Sequence, residues 1–174
     1  MTATPPFPTE LLELGRECGH LLTERAQTVA VAEGSCGGLV SAALLSVPGA
    51  SAFYLGGSVI YTGRALEGFL TGRVERPPGL RGATQGWALH LARAARAHVG
   101  ATWGIGEGGA AGPTGNRYGD PAGHAWMAVA GPHEASRHVL TGDSERLANM
   151  VAFAVSALGL LAAELRAGRP PAAP

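Results

Sequence analysis

The segment that most constrains the fold is a short apolar run followed at once by a glycine-rich turn and a second apolar run. Residues 28–32 (TVAVA) are apolar and partly β-branched, a pattern typical of a buried strand. Glu33 to Cys36 then form a turn, and residues 37–47 (GGLVSAALLSV) have the composition of a helix. A strand that passes through a tight turn directly into a helix is a building unit of α/β domains, so we expect this fold class.

The rest of the chain supplies further helices and strands around this unit. Helices alternate with strands early, and an antiparallel pair comes late, so we expect a three-layer α/β/α sandwich with a mixed β-sheet. The predicted helices are 9–22, with Thr9 as its cap, then 64–72, 80–99 and 143–166, and the predicted strands are 53–61, 103–106, 124–130 and 136–140.

Both ends of the chain are rich in proline, with alanine and glycine at the carboxyl end. We therefore expect residues 1–8 to be a flexible N-terminal tail and residues 168–174 a flexible C-terminal tail. Between them no second linker is found, so 9–167 is predicted to be a single domain.

Charge and cysteine content exclude several function classes. The chain has 13 basic and 13 acidic residues and no basic tract, so we expect no nucleic-acid partner. Cys18 and Cys36 fall in different predicted elements and cannot by themselves make a tetrahedral metal site, so we expect neither metal nor cofactor and favour a reducing cytoplasm. The apolar stretch 150–165 has helical periodicity and is interpreted as a core helix, so no membrane partner is expected.

The six histidines and three tryptophans do not change this interpretation. The histidine spacings supply no ligand set of their own, so solvated or core-edge positions are the preferred interpretation. Trp87, Trp103 and Trp126 are interpreted as core residues.

The turn after the first strand is the first candidate for a functional site. Ligands of open α/β sheets collect at the carboxyl ends of strands, and the free N–H groups of a helix start attract anions. Ser35 could cap the following helix, and Cys36 could lie in its first turn, where the helix dipole would lower the pKa of the thiol. A tight strand-to-helix turn with a capping serine and no function stays open as the alternative.

A second glycine-rich stretch, residues 104–115 (GIGEGGAAGPTG), contains six glycines, one proline and a single ionisable residue, Glu107. Such a stretch is costly to order, so it is either a disordered connection or a binding loop. We expect a pocket where the two loops meet, at Glu33 to Gly38 and Gly108 to Gly115.

Five segments in order resemble motifs of the CinA C-terminal domain family of nicotinamide mononucleotide (NMN) amidohydrolases. The resemblance spans about residues 10–165. The five are AEGSCGG at 32–38, the pair VPGAS at 47–51 and YTGRAL at 61–66, GGAAGP at 108–113, PAG at 121–123 and the closing GDS at 142–144. The resemblance implies an α/β/α fold, a role in pyridine nucleotide recycling and a homo-oligomer, dimeric or higher.

The same resemblance assigns site residues and shows where this chain departs from the pattern. The family's nucleophilic serine falls at Gly34 and its activating lysine at Leu66, while the motif's tyrosine is retained as Tyr61. Ser35 or Cys36 would have to replace the nucleophile, and Arg64 or Arg146 a lost cation. The ligand-binding positions implied are Glu33, Gly37, Gly38, Gly108, Gly109, Ala111, Gly112, Pro113, Ser144 and Arg146.

Three hypotheses follow, and whether the chain is an enzyme stays open. The chain is a degenerate member of the family that binds a pyridine nucleotide without catalysis, an active divergent amidohydrolase that uses Ser35 or Cys36 with Tyr61, or a structural partner of an intact paralogue.

Overall fold

The computed structural model describes residues 7–70 and 74–168 of the chain. They form five helices and five strands, together with a 3₁₀ turn at Ala50–Ala52. In chain order these are α1 (Thr9–Glu24), β1 (Val29–Glu33), α2 (Leu39–Leu45), β2 (Tyr54–Val59), α3 (Gly63–Phe69), α4 (Gln85–Val99), β3 (Trp103–Ala110), β4 (His124–Ala130), β5 (Glu134–Leu140) and α5 (Arg146–Ala167).

The strands form one mixed sheet in the order β2-β1-β3-β4-β5. β1 is parallel to both β2 and β3, and the β3–β4 and β4–β5 pairs are antiparallel. The expected mixed sheet is therefore confirmed. The carboxyl ends of the three parallel strands meet at one edge of the sheet, which is where α/β domains bind ligands.

Helices cover both faces of the sheet, as the period-2 alternation of its strands requires. On one face Val29 and Val31 pack with Ile105 into the larger core, together with α1, α2 and α5. On the other face Ala30 and Ala32 pack against α4 and α3. This arrangement is the α/β/α sandwich expected from the sequence.

The glycines of β3 allow α4 to lie directly on the strand. A Cβ atom on Gly104 would lie 1.9 Å from the carbonyl oxygen of Ala92, and one on Gly106 would lie 2.0 Å from that of Ala88. Both distances are far below van der Waals contact, so only glycine allows this approach. The strand predicted at 103–106 continues to Ala110, so the prediction of a loop was wrong for residues 107–110.

Two predicted helix caps were also wrong. The N-cap of α1 is Pro8, and Thr9 is the first helical residue without a capping side chain. The N-cap of α2 is Gly38, with φ of 101°, so Ser35 does not cap that helix. The helix predicted at 80–99 begins only at Gln85, where the side chain of Thr84 accepts a hydrogen bond from the backbone N–H of Trp87.

The long apolar helix α5 lies in the larger core. Its length and its mean hydropathy of 1.7 over an 18-residue window would suffice to span a membrane, but length and composition alone are weak support for a span. In this fold Phe153, Leu158, Leu161 and Leu165 are fully buried in the core that α5 shares with α1 and α2. The interpretation as a core helix agrees with this packing. The predicted tails 1–8 and 168–174 lie almost wholly outside the described residues, and so do residues 71 and 72 of the helix predicted at 64–72.

Candidate functional site

A cavity of about 520 Å³ opens at the carboxyl ends of the three parallel strands. Its floor is formed by Gly34 and Ser35 after β1, by residues 60–63 after β2, and by Gly108 and Gly109 at the end of β3. Further walls are supplied by residues 116–118 and by Arg76, Gly82, Ala83 and Trp87. The volume lies within the range of about 300 to 1,000 Å³ that is usual for small-molecule sites.

The walls of this cavity carry two positive charges and three aromatic rings. Arg76 and Arg117 line it, and no Asp or Glu does so among the residues that the structure describes. The rings belong to Tyr61, Trp87 and Tyr118. The guanidinium of Arg76 lies 5.3 Å from the ring centroid of Trp87, within the range of a cation–π contact. The cavity therefore suits an anionic group at one part of its wall and a flat ring at another.

The loop that carries Arg117 is fixed by an ion pair at its base. Arg81 Nη1 donates to Asp120 Oδ2 at 2.6 Å, and Asn116 Nδ2 donates to the same oxygen at 2.8 Å. The hydrogen bond from Arg81 holds the pKa of Asp120 at about 2, below its ordinary 3.8. Arg117 Nη2 donates to the hydroxyl of Tyr118 at 2.7 Å and lowers the pKa of that phenol. These contacts hold Arg117 and Tyr118 at the mouth of the cavity.

Ser35 lies on the cavity floor in contact with a buried carboxylate. Its Oγ donates a hydrogen bond to Oε1 of Glu107. The other carboxylate oxygen of Glu107 accepts the backbone N–H groups of Gly34 at 3.0 Å and Cys36 at 2.9 Å. Glu107 is fully buried, and this burial raises the pKa of the carboxyl above its ordinary value although the hydrogen bonds oppose the shift.

Glu33, a predicted ligand-binding residue, instead organises the start of α2. Its carboxylate is fully buried and accepts the backbone N–H groups of Gly38, Val40 and Ser41 and the hydroxyl of Ser41. The carboxylate thus does for the helix start what Ser35 was expected to do, with the favourable sign for the helix dipole.

The expectation that the helix dipole activates Cys36 was wrong. Cys36 precedes the first turn of α2 and is fully buried in the larger core. Burial, with Glu107 and Glu33 nearby, raises the pKa of the thiol well above its ordinary value. A protonated, inaccessible thiol cannot serve as the nucleophile.

Tyr61 and Arg146, which were both predicted site residues, meet beside the cavity. Tyr61 lines the cavity and is 65% exposed, and its hydroxyl accepts a hydrogen bond from Arg146 Nη2 at 3.2 Å. Arg146 Nη1 donates to the carbonyl of Gly112 at 2.7 Å. Arg146 therefore links the start of α5 to the predicted second loop, although it is not among the lining residues.

The two positions where the family motif would place serine and lysine behave differently. Gly34 lines the cavity, and a Cβ atom there would lie 3.3 Å from the carbonyl oxygens of Glu107 and Ile60. Leu66 is buried in the apolar cluster between α3 and α4. A leucine packed there supplies no proton acceptor to the cavity.

The remaining predicted ligand-binding positions divide into two groups. Gly108 and Gly109 line the cavity. The others contribute backbone conformation or packing around it and do not line it, namely Gly37 (φ 65°), Gly38, Ala111, Gly112, Pro113 and the exposed Ser144. Arg64, considered as a replacement cation, lies exposed on α3 and is not among the lining residues either.

Sequence reasoning missed the side chains that give the cavity its charge and much of its aromatic wall. Arg76, Arg117 and Tyr118 belong to none of the family motifs, and Trp87 was predicted to be a core residue but is partly exposed in the cavity wall. The one available signal was the run 116–118 (NRY), in which an arginine and a tyrosine stand together in a turn-rich segment. No cluster of three or more potential metal ligands occurs within the described part of the chain.

The fold and the cavity together define an α/β/α domain with a ligand site at the carboxyl ends of its parallel strands. The sequence model of the CinA C-terminal domain matches residues 12–165, and the chain belongs to this family. A CinA-like protein of Anaeromyxobacter sp. is 38% identical over 147 residues, which cover 83% of this chain and 36% of that protein. A CinA-like protein of Prochlorococcus marinus is 41% identical over 117 residues, which cover 65% of this chain and 26% of the relative.

Solved structures agree with this assignment. The competence/damage inducible protein CihA from Agrobacterium tumefaciens superposes with a TM-score of 0.83 at 27% identity, covering 94% of this chain and 99% of that one. The competence damage-inducible protein A from Klebsiella pneumoniae superposes with a TM-score of 0.83 at 25% identity, covering 91% of this chain and 99% of that one. The chain thus spans about a quarter to a third of the length of the curated relatives named above but nearly all of these solved chains.

Proposed function

We propose that this chain binds a small phosphorylated pyridine nucleotide, of which NMN is the first to test. The observation that carries the proposal is the cavity at the strand ends, with Arg76 and Arg117 in its wall and no lining carboxylate among the described residues. Guanidinium groups recognise phosphate through charge-assisted hydrogen bonds, and the missing carboxylates leave that charge available to a ligand.

The aromatic residues support the pyridine part of the proposal. NMN carries a phosphate and a positively charged pyridinium ring. Arg76 and Arg117 already lie over the rings of Trp87 and Tyr118. We therefore expect the ring of Tyr61 to attract a flat cation through its π face, while the two arginines attract the phosphate. Membership of the CinA C-terminal domain family is consistent with such a ligand.

Titration calorimetry with matched variants tests this proposal. We expect wild-type protein to bind NMN and to bind nicotinamide riboside, which lacks the phosphate, at least about 10-fold more weakly. Arg76→Ala and Arg117→Ala should each weaken NMN binding by about 10- to 100-fold, because each loses a charge-assisted contact.

Arg16→Ala is the matched control, since Arg16 is an exposed arginine on α1 that does not line the cavity. Its affinity for NMN should equal that of the wild type. No heat of binding with NMN, or equal losses in all three variants, would contradict the proposal.

A second candidate function, hydrolysis of the carboxamide of such a nucleotide, is favoured by one observation. Ser35 presents a hydroxyl on the cavity floor, one residue after the position where the family motif has serine. Cys36 is removed from this hypothesis by its burial. Release of ammonia from NMN by wild-type protein, and its loss in Ser35→Ala, would support the candidate.

A further inference from the structure

A hydroxyl and a carboxylate are paired at the floor of the cavity. Ser35 is 6% exposed, lines the cavity and donates its hydroxyl proton to Oε1 of Glu107. Glu107 is fully buried behind it and does not line the cavity. A molecule in the cavity would therefore meet the serine oxygen first, with the proton acceptor on its far side. This is the order of groups in an activated nucleophile.

The second oxygen of Glu107 fixes the loop on both sides of Ser35. It accepts the backbone N–H groups of Gly34 and Cys36, the two neighbours of the serine. One carboxylate thus positions the backbone and accepts the hydroxyl proton at once. Burial raises the pKa of Glu107, and a raised proton affinity makes a carboxylate a better general base near neutral pH.

Other candidate bases are placed less well. Leu66, at the position of the motif's lysine, is buried in an apolar cluster. The hydroxyl of Tyr61 accepts its hydrogen bond from Arg146. Among the described residues, Glu107 is the titratable side chain that is hydrogen-bonded to Ser35.

We propose that Ser35 and Glu107 form a nucleophile–base pair that replaces the serine and lysine of the family motif. The pair acts on a carboxamide seated in the cavity, so it rests on the proposed function. Glu107 Oε1 takes the proton of Ser35 while Oγ bonds to the carbonyl carbon, whose π electrons move to its oxygen. The C–N bond then breaks as the nitrogen takes a proton from a water in the cavity, and ammonia departs. The hydroxide left by that water attacks the Ser35 ester, and Oγ leaves with the proton returned by Glu107, which gives the free acid and restores the serine.

An isosteric variant separates the base from the loop anchor. In Glu107→Gln the amide oxygen can keep the bonds from Gly34 and Cys36, and the NH₂ group then donates to Ser35. The loop keeps its anchor, whereas the serine loses its proton acceptor. The control is Ser41→Ala, because Ser41 also donates to a buried carboxylate, that of Glu33, but is not among the residues that line the cavity.

Covalent labelling with phenylmethanesulfonyl fluoride, followed by mass spectrometry, tests the pair without requiring the natural substrate. We expect wild-type protein and Ser41→Ala to be sulfonylated on Ser35 at equal rates and Ser35→Ala to be unlabelled. Glu107→Gln should react at least about 100-fold more slowly than the wild type. The absence of label on Ser35 in wild-type protein would overturn the proposal. A folded Glu107→Gln protein that is labelled at the same rate as the wild type would also overturn it.

The pH dependence of wild-type labelling decides the matter if Glu107→Gln does not fold. The titratable groups near Glu107 are Cys36 and Glu33, which ends the neighbouring strand β1. Burial raises the pKa of Cys36 well above its ordinary value. Met127, which pairs with Glu107 across the strands, does not titrate. The rate should rise with pH and level off above the raised pKa of Glu107. A rate that continues to rise about tenfold per pH unit up to pH 9 would show activation by hydroxide alone and overturn the proposal.

Calorimetry with NMN distinguishes this inference from the proposed function. Binding of NMN without Glu107-dependent labelling would refute the pair and leave the binding function standing. Labelling that depends on Glu107 in a protein that does not bind NMN would refute the proposed binding function and leave the pair standing.

Discussion

At the residue scale, the site depends on buried carboxylates that organise backbone. Glu33 is the last residue of β1, and Glu107 lies near the carboxyl end of the adjacent parallel strand β3. Each carboxylate accepts backbone N–H groups of the segment that leads from β1 into α2. These bonds compensate the cost of burying a charged group, which is otherwise high. The side chains that bear on ligand chemistry, Ser35 and the two lining arginines, are held on this organised backbone or near it.

Burial also makes the thiols of Cys18 and Cys36 unreactive, which can be tested directly. Burial raises the pKa of Cys18 to about 12 and that of Cys36 well above its ordinary value. We expect iodoacetamide at pH 7 to modify neither cysteine in the folded protein and both after denaturation in guanidinium chloride, as read by mass spectrometry. Modification of Cys36 in the folded protein would contradict its placement in the core.

At the element scale, the close packing of α4 on β3 sets the position of the cavity wall. Because Gly104 and Gly106 carry no side chains, α4 lies against the sheet and presents Trp87 beside Gly108. A Cβ atom on Gly108 would lie 2.8 Å from the indole of Trp87. The glycines at 104, 106 and 108, which belong to a stretch that the sequence suggested would be costly to order, are thus required by helix–sheet packing.

Gly106→Ala should be among the more destabilising single changes in this chain. Its Cβ atom would overlap the backbone of α4, which cannot move as a flexible side chain would. We expect a loss of about 3 kcal/mol in the free energy of unfolding and a fall in Tm of about 6 to 12 °C, measured by thermal melts.

Gly68→Ala is the control for that change. Nothing lies within 4 Å of a Cβ atom at this position in α3, so the substitution should raise stability by about 0.5 to 1 kcal/mol through helix propensity. Equal melting temperatures for Gly106→Ala and wild-type protein would contradict the packing described above.

The loop that carries Arg117 should contribute an acid-sensitive part of the stability. The folded pKa of Asp120, about 2, lies below its ordinary 3.8, so its contribution is fully present above about pH 4 and is lost as pH falls towards 2. Urea unfolding at a series of pH values should show wild-type protein more stable than Asp120→Asn at pH 6, with most of the difference lost at pH 2. A difference that does not change with pH would refute this role of the ion pair.

At the scale of the whole molecule, apolar clusters on both faces hold one sheet between helices and leave the strand ends open to ligand. The alternation of the strands and the strand–turn–helix unit at 28–47 made this architecture predictable from the sequence. The general location of the pocket was also predicted, since Gly34, Ser35, Gly108 and Gly109 line it. Self-association and a cytoplasmic location stay predictions.

The lining side chains were less predictable for a physical reason. Arg76 and Arg117 come from connections whose position depends on tertiary contacts, such as the Arg81–Asp120 ion pair, rather than on local periodicity. Cys36 was misjudged because its exposure depends on the packing of the larger core. Hydrogen bonds between residues far apart in sequence, such as that from Ser35 to Glu107, leave no local pattern.

The structure of the protein crystallised with NMN is the most direct test of the proposed binding function. We expect the phosphate within hydrogen-bond distance of the guanidinium of Arg76 or Arg117, and the pyridinium ring against Tyr61. NMN bound away from this cavity, or with its phosphate turned from both arginines, would contradict the account.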